Sequence, residues 1–178
     1  MPPEPLKHRP SLIRLRSGLI VVRTPRIRRI IDDMLSMAEL RQVEYVPDAG
    51  AVILKLQYEK QAGFVICEAD DVGRHHHIEI AKFIRWNTSS PALQLPIVTL
   101  CEQWTLPMVT TARDAGISEI IGLPITVYAL MRRFMSALYQ ERRFIVVSTF
   151  HGPDRRKKIE IFYRGPWRRS TDQLTTIS

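Results

Sequence analysis

Residues 112–126 read ARDAGISEIIGLPIT, and this stretch decides the fold. A helical segment beginning near Thr105 stops at Gly116, where a left-handed cap suits a residue without a Cβ. SEIIG (118–122) is an apolar run of strand length. Thr126 then stands where a hydroxyl caps the next helix, TVYALMRRFMSALYQERR (126–143). Helix, strand and helix succeed one another within a few residues, the spacing of an α/β unit.

The same alternation runs back to residue 19. LIVV (19–22) is a β-branched run, and TPRIRRIIDDMLSMAEL follows it with Ile27, Ile30, Ile31, Met34 and Leu35 at helical spacing. Thr24 before Pro25 makes a good helix start, because proline has no N–H to lose in the first turn. QVEYV (42–46), GFVIC (63–67) and LPIVTLC (95–101) read as further strands. AVILKLQYEKQ and HIEIAKFIRWN (77–87) read as further helices. Five strands alternating with five helices predict an α/β fold, a doubly wound five-stranded parallel sheet covered on both faces. Ligand sites in such sheets lie at the carboxyl ends of the strands. That rule gathers Arg23, Thr24, Glu68, Cys101 and Leu123 around one crevice.

Length and composition fit this picture. The chain has 178 residues, 45% of them apolar, enough for one domain with tails. No apolar run reaches the roughly 18 residues of a membrane helix. The start, MPPEPLKHRPSLIRLRS, lacks the apolar stretch of a signal peptide, so a cytoplasmic location is expected. Cys67 and Cys101 end neighbouring strand-like runs. Side chains alternate along a strand, so Cys67 should face away from the crevice that Glu68 and Cys101 face, and a bridge is not expected.

The net charge of +8 belongs to the ends. Residues 1–16, a basic N-terminal tail, carry four basic side chains against one acid, and residues 142–178 carry nine against three. The body, 17–141, is therefore close to neutral. Past residue 143 a small unit repeats, GPDRR at 152–156 and GPWRR at 165–169. Pro, Arg and Ser dominate there, so an irregular basic extension is predicted, docked in part through Phe144, Phe162 and Tyr163.

At this point the chain resembles bacterial single-domain response regulators, the receiver-domain family. The likeness spans roughly 18–141 and is strongest in ARDAGISEIIGLPIT, where family members read ARDAG-x-x-E-[FY]-[LI]-x-KP. GPDRR is similar to a C-terminal extension on some alphaproteobacterial members. The resemblance implies the flavodoxin-like receiver fold and a role in two-component phosphorelay signalling. It also implies a family chemistry: an acidic pair after the first strand and an aspartate ending the third hold a divalent cation. A hydroxyl residue and a lysine ending the fourth and fifth strands bind the phosphoryl oxygens.

Carried over position by position, each of those roles is altered. The acidic pair falls on Arg23 and Thr24, or on Val22 and Arg23. The acceptor becomes Glu68, the hydroxyl residue Cys101, the lysine Leu123, and the aromatic switch residue Ile120. Developing negative charge would be unopposed, and magnesium seldom holds to one carboxylate beside an arginine. A degenerate pseudo-receiver is expected, not an enzyme, without magnesium or another cofactor, acting by phosphorylation-independent protein–protein contact. Its partner would be a sensor histidine kinase or another regulator. Two other readings stay open: residual phosphate acceptance at Asp70 or Asp71, and nucleic-acid binding through the basic tails. No helix-turn-helix, zinc-ligand spacing or RNA-recognition signature supports the second.

The remaining candidates have bland and sharp readings. Arg23 is expected to pair with Glu68 across the crevice, or to point to solvent. His75, His76 and His77 lie near Asp70 and Asp71 and invite a metal. Three consecutive residues cannot all face one ion in a helix or strand, so a solvated loop is expected. Trp104 either packs locally or anchors a partner. Arg132 and Arg133 lie on the last helix, and the resemblance implies a homodimer through the fourth and fifth helices.

Overall fold

In a computed structural model of the chain, described for residues 17–58, 62–69, 76–87, 93–139 and 144–154, the predicted alternation is present. The elements are β1 (Ser17–Val21), α1 (Pro25–Met37), β2 (Gln42–Tyr45), α2 (Ala49–Tyr58), β3 (Phe64–Glu68) and α3 (His76–Trp86). They continue with β4 (Ile97–Cys101), α4 (Leu106–Asp114), β5 (Glu119–Gly122) and α5 (Val127–Tyr139). Strands β1 to β5 form one sheet in the order β2-β1-β3-β4-β5, every pairing parallel. β1 begins two residues earlier than LIVV, because Ser17 and Gly18 already pair with Gln42 and Val43. The N-terminal tail before Ser17 lies outside the described residues.

Strand alternation divides the core into two layers. Leu19, Val21, Val65, Cys67 and Ile97 face Val52, Leu56, Ile80, Ile84 and Ala112 from α2, α3 and α4. Ile20, Phe64, Ile66, Val98, Leu100 and Ile121 face Ile27, Ile31, Met34, Leu130 and Phe134 from α1 and α5. The helical stripe read from Ile27, Ile31, Met34 and Leu35 is therefore the buried face of α1, and each such side chain contributes about 2 kcal/mol by leaving water. Phe64 and Phe134 meet edge to face at 5.0 Å, a favoured aromatic geometry. Gly18 is required beneath them, since a Cβ there would lie 2.1 Å from the Phe64 ring.

The helix ends follow the sequence signals. Pro25 opens α1 behind Thr24. Gly116 follows α4 at φ +84°, and Gly116 N–H donates to Arg113 O (3.0 Å) while Ile117 N–H donates to Ala112 O (3.2 Å). These are the paired bonds of a Schellman cap.

The expectation for the segment past residue 143 needs correcting. Residues 144–153 are not irregular: β6 (Phe144–Val147) and β7 (Phe150–Pro153) form an antiparallel hairpin around Ser148 and Thr149. A lone hairpin is marginal in water, and this one is docked. Phe144, His151, Gly152 and Pro153 are buried. His151 Nδ1 lies 2.7 Å from the main-chain oxygen of Arg85, so it carries the proton. Its ring stacks on Trp86 at 4.2 Å. Phe162, Tyr163 and the second GPWRR unit lie outside the described residues. No helix among the described residues is long and apolar enough to cross a membrane.

Candidate functional site

The crevice forms where β1, β3, β4 and β5 end. Glu68 is the last residue of β3 and half-buried. Its Oε2 accepts from the main-chain N–H of Arg23 (2.8 Å) and of Thr24 (2.9 Å), and its Oε1 accepts from the Thr24 hydroxyl. Thr24 is the N-cap of α1, yet its side chain makes no cap bond to that helix, because the hydroxyl is turned to Glu68. A carboxylate from a distant strand thus takes the donors at a helix start, where the helix dipole favours negative charge.

This corrects the expected side-chain pairing of Arg23 with Glu68. The contact is made with the Arg23 main chain. The guanidinium Nη2 lies 3.1 Å from His76 Nε2 at the start of α3. Arginine can only donate, so His76 Nε2 accepts, and the ring proton belongs on Nδ1, 3.9 Å from Glu79 Oε2.

The other crevice positions make contacts within the chain. Cys101 is buried and its thiol donates to Gln103 O at 3.2 Å. Leu123 packs against the α1/α5 core, its N–H donates to Cys101 O (2.9 Å), and the Leu123–Pro124 bond is cis. Ile120, at the switch position, is half-buried against the opposite layer. Asp70, Asp71 and His75 lie outside the described residues. His77 is buried, not solvated. Cys67 and Cys101 are both free. Burial pushes the Cys67 thiol up to about 12, against a smaller lowering by the Thr99 hydroxyl.

Partner-facing candidates are largely engaged within the chain. Trp104 is half-buried, donates from Nε1 to Ile121 O (3.0 Å) and meets the His77 ring edge to face at 6.5 Å. It pins the β4–α4 loop across β5. Arg133 binds Glu119 Oε1 through Nε (3.0 Å) and Nη2 (2.7 Å) and reaches Ile120 O at 2.9 Å. Arg132 is exposed on the same helix. Leu106, 80% exposed, and Tyr128, 61% exposed, leave apolar surface at the starts of α4 and α5.

A second polar cluster, unforeseen in the sequence, lies at the opposite end of the sheet. Arg85 on α3 has no exposed surface. Nε donates to Gly116 O (2.9 Å), Nη1 to Leu93 O (2.5 Å), and Nη2 to Leu95 O (2.9 Å) and Ser118 Oγ (3.1 Å). Burial without a carboxylate lowers its pKa to about 9. The guanidinium ties the entries to β4 and β5 together, and the C-terminal hairpin covers it through Phe144, 5.3 Å away.

A magnesium ion at the described crevice would have to compete with the donors that hold Glu68. Hard cations need several oxygen ligands, whereas the carboxylate ending β3 has both oxygens engaged by Arg23 and Thr24. Among the described residues no three His, Cys, Asp or Glu side chains cluster as a metal site would require.

Comparison with solved structures places the fold. The chemotaxis response regulator CheY4 of Vibrio cholerae superposes with a TM-score of 0.57 at 18% identity, over 70% of this chain and 99% of that one. The receiver domain of a sensor histidine kinase from Pseudomonas aeruginosa PAO1, solved with magnesium in its active-site cleft, gives 0.58 at 16%, over 71% and 99%. A response regulator from Hahella chejuensis gives 0.58 at 16%, over 70% and 98%. The chain therefore has the flavodoxin-like fold of response-regulator receiver domains. No family model matches the sequence, and no curated protein matches it significantly.

Proposed function

We propose that this chain is a regulator of two-component signalling that has kept the receiver fold and given up phosphoryl transfer, acting by contact with another protein. The observation that carries this is the occupation of Glu68: the position where a receiver would accept a phosphoryl group is a carboxylate committed to Arg23 and Thr24. Leu123 and Cys101 provide no cation and no hydroxyl for a phosphoryl oxygen. In this reading the protein is not an enzyme, holds no magnesium, and signals through its concentration and its partner's.

The partner is a sensor histidine kinase or another regulator, met on the side where Leu106 and Tyr128 leave apolar surface beside the crevice. The chain's net charge of +8 lies in residues 1–16 and 142–178, so the folded body between them offers no net field that would steer a polyanion to it. Incubation with acetyl phosphate and magnesium, followed by intact mass measurement, tests the reading. An unchanged mass is expected. A phosphoryl adduct on Glu68, or on Asp70 or Asp71, overturns it.

A further inference from the structure

We propose that α2 is a self-association surface on which a second copy of this chain packs, antiparallel, around Leu54. The helix reads AGAVILKLQY, and its outward side carries Gly50, Leu54, Gln57 and Tyr58, with no charge. Leu54 is 56% exposed and Tyr58 81%. The helix's one charged residue, Lys55, is turned aside to Glu44 at 2.9 Å. Every other helix shows solvent at least one charged side chain. An uncharged, largely apolar outward face departs from the charged or polar one that a surface helix normally shows to water.

The occupant follows from the spacing. Gly50, Leu54 and Tyr58 are four residues apart, about 6 Å per step along the axis. A two-fold axis at Leu54 therefore sets each Tyr58 over the partner copy's Gly50. That position is open, with no side chain of its own: a Cβ built at Gly50 meets only Asp48 Oδ1, at 3.3 Å. The Asp48 carboxylate caps α2 by accepting from Ala51 N–H at 2.9 Å, and it has lone pairs left to accept the Tyr58 hydroxyl of the other molecule. Bulky ring, open glycine and acceptor lie on one helix in self-complementary order, as an isologous contact requires. A single helix pair buries less than the roughly 1,200 Å² of a standard interface, so the dimer is weak and concentration-dependent. It does not use the α4–α5 side.

Sedimentation velocity of the full chain across a concentration series tests this. A reversible monomer–dimer equilibrium is expected, with Leu54→Glu raising its dissociation constant at least about tenfold and leaving the melting temperature unchanged. Leu54→Cys should give a disulfide-linked dimer under mild oxidation, since the two substituted positions meet at the axis and Cys67 and Cys101 are buried. A chain monomeric throughout, an equilibrium indifferent to Leu54→Glu, or a dimer lost on Tyr128→Glu alone overturns the proposal.

Discussion

The Glu68 carboxylate spans the crevice to Thr24 and accepts from both its main-chain N–H and its hydroxyl. Two elements distant in sequence are joined there, the end of β3 and the start of α1. An aspartate, shorter by one C–C bond of ~1.5 Å, would stop short of those donors. The glutamate thus does structural work, its carboxylate accepting from three donors at the start of α1, and under the proposed function that work replaces phosphoacceptance.

Removing that carboxylate should loosen the start of α1. Glu68→Ala leaves Thr24 and the Arg23 N–H without their acceptor, and a cost of about 2 kcal/mol is expected in urea denaturation. Glu68→Asp should lose most of the same stability without regaining phosphorylation by acetyl phosphate, because Arg23 and Leu123 still stand where an acid and a lysine are needed. A stable Glu68→Asp variant that takes up phosphoryl groups would contradict this account of the crevice.

Much of the fold was legible because strand and helix periods differ. Ile27, Ile31 and Met34 mark one face of α1, and alternation along β3 sends Val65 and Cys67 to one layer and Phe64 and Ile66 to the other. The Gly116 cap was legible for the same kind of local reason. The crevice positions could be placed, but not their contacts: main-chain donors carry no residue identity, so the sequence offered Arg23 as a charge when the structure uses its N–H. Arg85 reads as an ordinary solvated residue of a helix, since its four acceptors are carbonyls and a hydroxyl remote in sequence. FHGP holds a glycine and a proline, which argue against a strand in isolation. Only docking against α3 makes that segment β7.

The hairpin is expected to belong to the folded body. A chain ended after Asp154 keeps the whole hairpin and is the reference. Ending it after residue 143 uncovers Arg85, Trp86 and Gly116 and should cost at least about 2 kcal/mol, from the lost burial of Phe144 and its neighbours. Equal midpoints for the two truncations would show that the hairpin adds nothing.

Gly116 is expected to tolerate no side chain. A Cβ there would lie 2.4 Å from the main-chain oxygen of His151 and 2.8 Å from Arg85 Cγ, at φ +84°. Gly116→Ala therefore combines backbone strain with a clash that displaces β7, and a loss of about 2 kcal/mol or more is expected. Faster amide exchange along 144–153 in this variant would locate the damage in the hairpin; exchange confined to α4 would point to the cap alone.

Arg85 should resist even conservative exchange. Lysine keeps the charge but cannot reach Gly116, Leu93 and Leu95 oxygens together, because it has a single nitrogen where the guanidinium has a fork. Arg85→Lys is expected to cost about 2–4 kcal/mol, from one or two buried carbonyls left without a donor. Thermal denaturation at neutral pH measures it, and a wild-type melting temperature would mean that water satisfies those carbonyls equally well.

Cys67 supplies a pH dependence whose sign is set by burial. Its thiol titrates near 12 in the folded chain and near 9 when unfolded. Between those values the folded state holds a proton that the unfolded state has lost. Stability from this group is therefore complete below about pH 9 and falls as pH rises toward 12. Cys67→Ala should show a shallower loss of stability across that window than the parent chain, with similar behaviour at pH 7. Only the thiolate reacts with alkylating reagents, so native Cys67 should stay unmodified at pH 8 and react once urea unfolds the protein. Rapid alkylation of native Cys67 at pH 8 would show that the layer between the sheet and α2, α3 and α4 opens far more readily than its packing implies.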